Sequence, residues 1–410
     1  MTSDPYRSRR VFVWTSLPGE SVPAVAGVVD RVGADRLDFT YARSYLDNEN
    51  AISLYGPKLP LRRGVQEPLD GLTVAACLKD ATPDSWGERV IGNRLSSGDA
   101  ELSIETYMLE SGSNRPGALD FQESSEEYRP RLETASLDEL YDAAEKVLAG
   151  EPLHPAIGDA LMNGTAIGGA HPKVLITNSG ADYIAKLSVP TDVHPWIRAE
   201  AVAHELARRC GIEVPHARLI QSMGRDVLLI ERFDRLPGGR RRHVVSGLTL
   251  LGFDALLGAR YRSYPEMLDV LRELGRAPQD VGRRLFERVV FNIAIGNNDD
   301  HARNHAAFWD GKSLDLTPAF DLTPQPRSTD TSAQAMAIGR DGSRASQFSV
   351  GVSAAADYGL SRPQAREVVD RIVSVMETQW LDASDAVGMS KADRNALWKR
   401  SILNRSVSDE

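Results

Sequence analysis

The chain has 410 residues, of which 42% are hydrophobic and 26% charged, and its formal net charge is −9 at pH 7. That length is too great for one hydrophobic core and calls for two or three subdomains. The balance of apolar and charged residues excludes wholesale disorder, and an acidic chain with a pI near 5.5 does not bind nucleic acid through its overall field. Two cysteines, Cys77 and Cys210, make neither a disulfide framework nor a zinc site. Met1 to Arg10 is polar and basic, and no apolar run long enough for a signal peptide or membrane span follows it, so the expected location is the cytoplasm.

In chain order, Val11 to Trp14, Ala24 to Asp30 and Arg36 to Tyr41 read as strands, with Ser16-Leu17-Pro18-Gly19 as a turn. Pro57, Pro60 and Pro68 mark an extended connection, and Thr82-Pro83-Asp84-Ser85-Trp86-Gly87 opens a helix towards Leu95. Residues 111–135, rich in Ser, Glu, Pro and Gly, read as a loop or boundary. Leu137 to Leu148 has helical periodicity, with Leu137, Leu140, Tyr141, Ala144 and Leu148 on one face. Lys173 to Asn178 and Tyr183 to Ser188 are short apolar runs about Ser179-Gly180-Ala181-Asp182, a hairpin by turn chemistry. Pro195 to Cys210 is a helix ended by Gly211. Ala217 to Gln221 and Val227 to Glu231 form a further strand pair. Beyond about residue 245 the periodicity is helical nearly throughout. The expected division is a front subdomain over 1–110, a β-rich lobe over 111–243 and a helical lobe over 244–410.

Chemistry concentrates after the apolar helical run Leu285 to Ile295, in which Leu285, Val289 and Ile293 share a face. There Asn298-Asp299-Asp300-His301-Ala302-Arg303-Asn304 separates Asp299 from Asn304 by the spacing of a kinase catalytic loop. A carboxylate meets the attacking hydroxyl while an amide oxygen reaches a metal on the phosphate side. Taken singly, the pair reads as a loop turn and a helix cap. Asp321, in Pro318-Ala319-Phe320-Asp321, follows an apolar segment and suits Mg²⁺, which prefers oxygen ligands; alone, it reads as a turn cap before Thr323-Pro324.

Upstream, Lys186 ends a strand, with Glu200 fourteen residues on as its expected partner on the next helix. Glu205 lies about 140° round that helix from Glu200. Before the strand, Gly164, Gly168, Gly169 and Lys173 could cradle phosphates or make a tight turn. The order of these elements, from Gly-rich turn through strand Lys, helix Glu and Asp-x4-Asn to a last Asp, is that of a protein kinase. Trp86 and Trp196 read as packing anchors, His204 and His216 as ordinary helix and loop residues, and Arg235, Arg240, Arg241 and Arg242 as a solvated hairpin tip about Pro237-Gly238-Gly239.

At Gly168-Gly169-Ala170-His171-Pro172-Lys173, Leu229-Ile230-Glu231-Arg232-Phe233-Asp234-Arg235, Asn298 to Asn304 and Pro318 to Asp321 the chain resembles the HipA family, serine/threonine kinase toxins of bacterial toxin–antitoxin modules. Pro83 to Gly87 resembles that family's front subdomain. The resemblance implies an α+β, kinase-like bilobal fold with an extra N-terminal subdomain, a β-rich N-terminal lobe and an all-α C-terminal lobe. It implies Asp299 as catalytic base, Asn304 and Asp321 as Mg²⁺ ligands and Lys186 on the ATP phosphates. Glu231 and Phe233 would meet the adenine through the backbone, and Gly168, Gly169, Lys173, Glu200 and His301 would complete the nucleotide site, with His301 orienting the loop. The family phosphorylates a serine of its own Gly-rich loop; the matching positions here hold Thr165 and Ala166, which makes Thr165 the candidate. Asp300 stands where glycine is often found, and an extra carboxylate there would perturb Asp299 or add a metal contact. The implied partners are a HipB-like helix-turn-helix antitoxin, through which alone DNA is met, and a protein substrate such as an aminoacyl-tRNA synthetase. The rival readings are a pseudokinase acting as scaffold or co-repressor and a small-molecule phosphotransferase.

Overall fold

The computed structural model describes residues 4–7, 9–95, 102–131, 135–151, 153, 157–158, 161, 172–178, 180–189, 192, 194–253, 262–325 and 332–408. The chain divides into two compact units, each built from non-contiguous segments. The first comprises 1–189, 221–245 and 308–312, the second 190–220, 246–307 and 313–410.

The first unit begins with strands β1 (Val11–Thr15), β2 (Ala24–Val32), β3 (Arg36–Tyr41), β4 (Val65–Gln66) and β5 (Leu119–Gln122). They form one antiparallel sheet in the order β4-β3-β2-β1-β5. Period-2 alternation gives the sheet its apolar face: Val11, Val13, Val29, Leu37 and Phe39 are all buried. Strand β5 lies inside the stretch expected to be a loop. Its four residues are all buried and Phe12 to Thr15 pair with them. Composition averaged over 111–135 hides so short a run, and pairing to β1 decides it. Tyr41 fixes the connection after β3, donating its hydroxyl to Leu59 O at 2.9 Å and accepting from Leu54 N at 2.9 Å.

Helix α1 (Ser85–Arg94) starts where Asp84 accepts from Gly87 N at 2.9 Å, and α2 (Leu137–Ala149) carries a capping box of Ser136 and Glu139. Strands β6 (Lys173–Asn178) and β7 (Ala181–Leu187) form the expected hairpin with Asn178 opposite Ala181, and β7 pairs in turn with β9 (Arg225–Glu231). Strand β8 (Ala217–Ser222) leads to Met223 and Gly224, which both have positive φ, as a type I′ turn requires.

Helices dominate the second unit: α3 (Trp196–Arg209), α4 (Tyr264–Glu273), α5 (Pro278–Ile295) and α6 (Arg362–Ala386). Helix α5 is its axis, since Leu285, Phe286, Val289, Val290, Phe291, Ile293, Ala294 and Ile295 are all fully buried. Each large side chain there contributes roughly 2 kcal/mol of transfer free energy. Beyond residue 245 two short strands, Ala306–Trp309 and Leu314–Leu316, interrupt the expected run of helices. They are an apolar quartet and a Leu-Asp-Leu triplet about the turn residues Asp310-Gly311, too short to register in a helical window.

The first unit also buries His243, whose Nε2 lies 3.0 Å from Thr15 Oγ1 and 3.1 Å from Ser16 O. Burial pushes this imidazole down to about 4, against the smaller opposing effect of the Ser16 carbonyl. The unfolded chain therefore binds a proton below about pH 6.5 that the folded chain refuses until about pH 4. Stability carried by neutral His243 is complete above that window and falls as pH drops through it, by up to about 3 kcal/mol. Urea unfolding at pH 7 and pH 4.5 should show a smaller acid loss in His243→Gln than in the parent chain; equal losses would contradict this assignment.

Candidate functional site

The end of α5 aims the catalytic-loop sequence. Gly296 closes the helix at φ +70°, its N–H reaching Ile293 O at 3.2 Å while Asn297 N–H reaches Asn292 O at 2.9 Å. This pair of bonds is a Schellman ending, which favours glycine at the left-handed position. On the other side Gly247 presses on the loop: a β-carbon there would lie 2.3 Å from Ala302 O, and Gly247 N–H donates to His305 O at 2.7 Å.

Within the loop, Asp299 is exposed and its main-chain oxygen accepts from His301 N–H at 2.9 Å and from the Asn304 side-chain amide at 3.2 Å. With its Nδ2 committed to the backbone, buried Asn304 keeps Oδ1 as the atom it can offer a cation. Asn304 N–H bonds the His301 main-chain oxygen at 2.8 Å, which closes the turn. Asp321 adopts φ +59°, a conformation that costs a non-glycine residue about 1 kcal/mol or more, and its main-chain oxygen is 3.3 Å from Asn297 Nδ2. The Asp299 carboxyl is raised above its ordinary value, chiefly by partial desolvation. His301 works against this, and the Asp321 and Asp300 carboxylates add to it. Asp299, Asn304 and Asp321, all in the second unit, thus bring two carboxylates and an amide oxygen together. Mg²⁺ needs no more from a protein than one or two carboxylates beside phosphate oxygens, so this donor set fits it.

Asp300 perturbs Asp299 as one of its two expected effects. It is 2% exposed, and its Oδ2 sits inside a web of hydrogen-bond donors. Glu200 is buried on α3, whereas Glu205 pairs outward with Arg208 and Arg209 at 2.7 Å each.

In the first unit Lys186 is half-buried on β7, directly opposite Lys173 on β6 and opposite Leu228 on β9. Cross-strand partners share a face and like charges there repel. The conflict is relieved because Lys173, 2% exposed, pairs with Asp84 at 3.2 Å. Lys173, expected to add charge to a phosphate cradle, has its ammonium beside this buried carboxylate. Trp86 anchors the same junction through a 3.2 Å bond to Lys173 O. Glu231 is exposed at the end of β9, and half-buried Phe233 meets the Phe308 ring edge-on at 5.7 Å. Gly168, Gly169 and Thr165 lie outside the described residues.

The basic hairpin also differs from its expected solvated state, since only its tip is solvated. Arg232 and Arg235 grip Asp234 at 2.6 and 2.9 Å, and both donate to Arg115 O. Gly117 N–H donates to the same carboxylate at 2.7 Å. Burial alone would raise Asp234, but the two guanidiniums hold it well below the ordinary carboxylate range. The Arg-Phe-Asp-Arg run therefore clamps the turn at 114–117. The long spacing between the two segments hid this from sequence reading, although an Asp between two Arg in an apolar context was the available signal.

Residues 165–380 match the family model described as the HipA-like C-terminal domain. The chain belongs to that family. Among curated proteins it is 23% identical over 363 residues to Y4mE, a candidate kinase of Sinorhizobium fredii, covering 82% of this chain and 84% of the relative. It is 28% identical over 166 residues to the serine/threonine-protein kinase toxin HipA of Shewanella oneidensis, covering 35% and 38% of the two chains. Among solved structures, a chain of the Shewanella oneidensis MR-1 complex of HipA, HipB and operator DNA superposes with a TM-score of 0.67 at 18% identity, covering 93% of this chain and 97% of that one. The fold is thus the HipA-like, kinase-like α+β fold. No helix among the described residues is long and apolar enough to cross a membrane.

Breaking a buried ion pair on one side strands a charge, at a cost of roughly 3 to 5 kcal/mol. Lys173→Met should therefore destabilise the protein by that order in urea unfolding, and adding Asp84→Asn should return part of the loss. A strictly additive double variant would refute the pairing.

Proposed function

We propose that this protein transfers the γ-phosphate of ATP to a serine or threonine hydroxyl of a protein, and that it is the toxin of a toxin–antitoxin module. The observation that carries the reading is the single loop that presents Asp299 outward, turns Asn304 by a bond to Asp299 O and lies beside Asp321 in a left-handed conformation. Membership of the HipA-like family supports it.

In this reading Asp299 accepts the proton of the attacking hydroxyl, and the raised carboxyl is suited to that role because proton transfer is most effective when donor and acceptor are close in affinity. Asn304 and Asp321 would hold a divalent cation, which when bound neutralises charge on the phosphates. That neutralisation also removes the repulsion Asp321 exerts on Asp299. Lys186 would contact the phosphates and Glu231 and Phe233 the adenine. The HipB partner named in the structural relative's complex supports a helix-turn-helix antitoxin as the partner here, with DNA met through it. A translation component such as an aminoacyl-tRNA synthetase is the proposed substrate, and Thr165 the proposed site of self-phosphorylation.

The test is incubation of the purified chain with Mg²⁺, γ-labelled ATP and bacterial lysate, beside Asp299→Asn. Loss of a general base lowers transfer by about 10² to 10⁴-fold, so label in the variant should fall near background while ATP still binds. ATP binding without transfer in the parent chain would contradict the kinase reading and favour a scaffold.

A further inference from the structure

Beneath the exposed loop runs a buried polar chain that the phosphotransfer reading leaves unused. Asp300 Oδ2 accepts from Asn292 Nδ2 at 2.7 Å, from the Tyr264 hydroxyl at 2.8 Å and from His305 Nε2 at 3.1 Å. The Tyr264 hydroxyl also lies 3.1 Å from Asp300 O. His305 Nδ1 is buried with no hydrogen-bond partner among the described residues, and Nε2 faces the acceptor-only carboxylate, so Nε2 is the ring nitrogen that donates. Asn292 passes the connection onward: its Oδ1 accepts from Asn297 Nδ2 at 3.0 Å, and that same amide nitrogen is 3.3 Å from Asp321 O.

Burying a carboxylate is costly unless donors and charge compensate it. Three donors converge on one oxygen here, and Arg288, buried one helical turn before Asn292, is favoured in its charged form by Asp300. An oxygen holding three donors has no lone pair left for a metal. Its backbone is held as well, so the peptide that follows Asp299 is pinned at both the side chain and the main chain of Asp300.

We propose that Asp300 is a positioning residue: through Tyr264 and His305 it fixes the base Asp299, and through Asn292 and Asn297 it fixes the backbone of the metal ligand Asp321. The two reacting sides of the site are then held by one hydrogen-bonded chain, and loosening it disturbs both. This inference rests on the kinase reading for the roles of Asp299 and Asp321, but the coupling itself belongs to the folded chain.

The test uses the full chain with Tyr264→Phe and Asn297→Ala, each removing one donor, alongside Asp300→Asn and Asp300→Ala. Free Mn²⁺ is measured by electron paramagnetic resonance in the presence of ATP, and kcat and the ATP KM are measured at several Mg²⁺ concentrations. Tyr264→Phe should lower kcat about tenfold with the ATP KM within twofold, since a base misplaced by a fraction of an ångström slows chemistry without loosening nucleotide. Asn297→Ala should weaken Mn²⁺ binding about tenfold, and Asp300→Asn, which keeps an acceptor oxygen, should retain more activity than Asp300→Ala. If Asp300→Ala does not fold, the two single-donor variants decide. Folded Tyr264→Phe and Asn297→Ala with unchanged kcat and unchanged Mn²⁺ affinity would overturn the proposal. If the parent chain binds Mn²⁺ and ATP yet transfers no phosphate, the kinase reading fails by itself. In that case a weakened Mn²⁺ site in Asn297→Ala still supports the coupling, and an unweakened one overturns it.

Discussion

Three carboxylates, Asp299, Asp300 and Asp321, are gathered by one short loop and the segment that follows it, and like charges so placed repel. The fold treats them differently. Asp300 is sunk among Tyr264, Asn292 and His305 with Arg288 nearby, and so is satisfied internally. Asp299 is raised chiefly by partial desolvation, and repulsion from Asp321 adds to it. In the proposed reading a divalent cation held by Asn304 and Asp321 would relieve that repulsion. Helix α5 makes this arrangement rigid, because its apolar residues are fully buried and its Schellman ending starts the loop in one direction.

The first unit uses charge in the opposite sense. Lys173 and Lys186 stand opposite one another on adjacent strands, and Asp84 neutralises the one that is buried. Asp234 gathers Arg232, Arg235 and the Gly117 N–H around a turn more than a hundred residues earlier in the chain. Both clusters join the front segment to the strands that follow it. In both clusters a motif residue also serves as a structural cross-link.

Regular elements were legible where local chemistry and periodicity agree. Strand β3, the helix opened by Asp84 and the helix ended by Gly211 lie where alternation, capping and glycine place them. That Asp299 and Asn304 share one loop was legible from spacing, because four intervening residues are a local constraint, whereas Asp321 was singled out by the order of elements and by resemblance. What escaped reading depended on distant partners. Strand β5 exists because β1 offers it an edge, and Asp300 turns inward because Tyr264 and Asn292 wait for it on two helices. Lys173 pairs with a residue some ninety positions earlier. Most of these pairs lie too far apart for any one sequence window. The near pair of Asn292 and Asp300 is formed only because the end of α5 turns the loop back on the helix.

The most direct measurement is a crystal structure of the full chain with Mg²⁺ and a non-hydrolysable ATP analogue. The account predicts a metal bound by Asn304 Oδ1 and the Asp321 carboxylate at about 2.1 Å, with Asp299 facing the γ-phosphate side and Asp300 still buried against Tyr264 and His305. A metal held by Asp300, or a nucleotide bound away from Asp299, would contradict it.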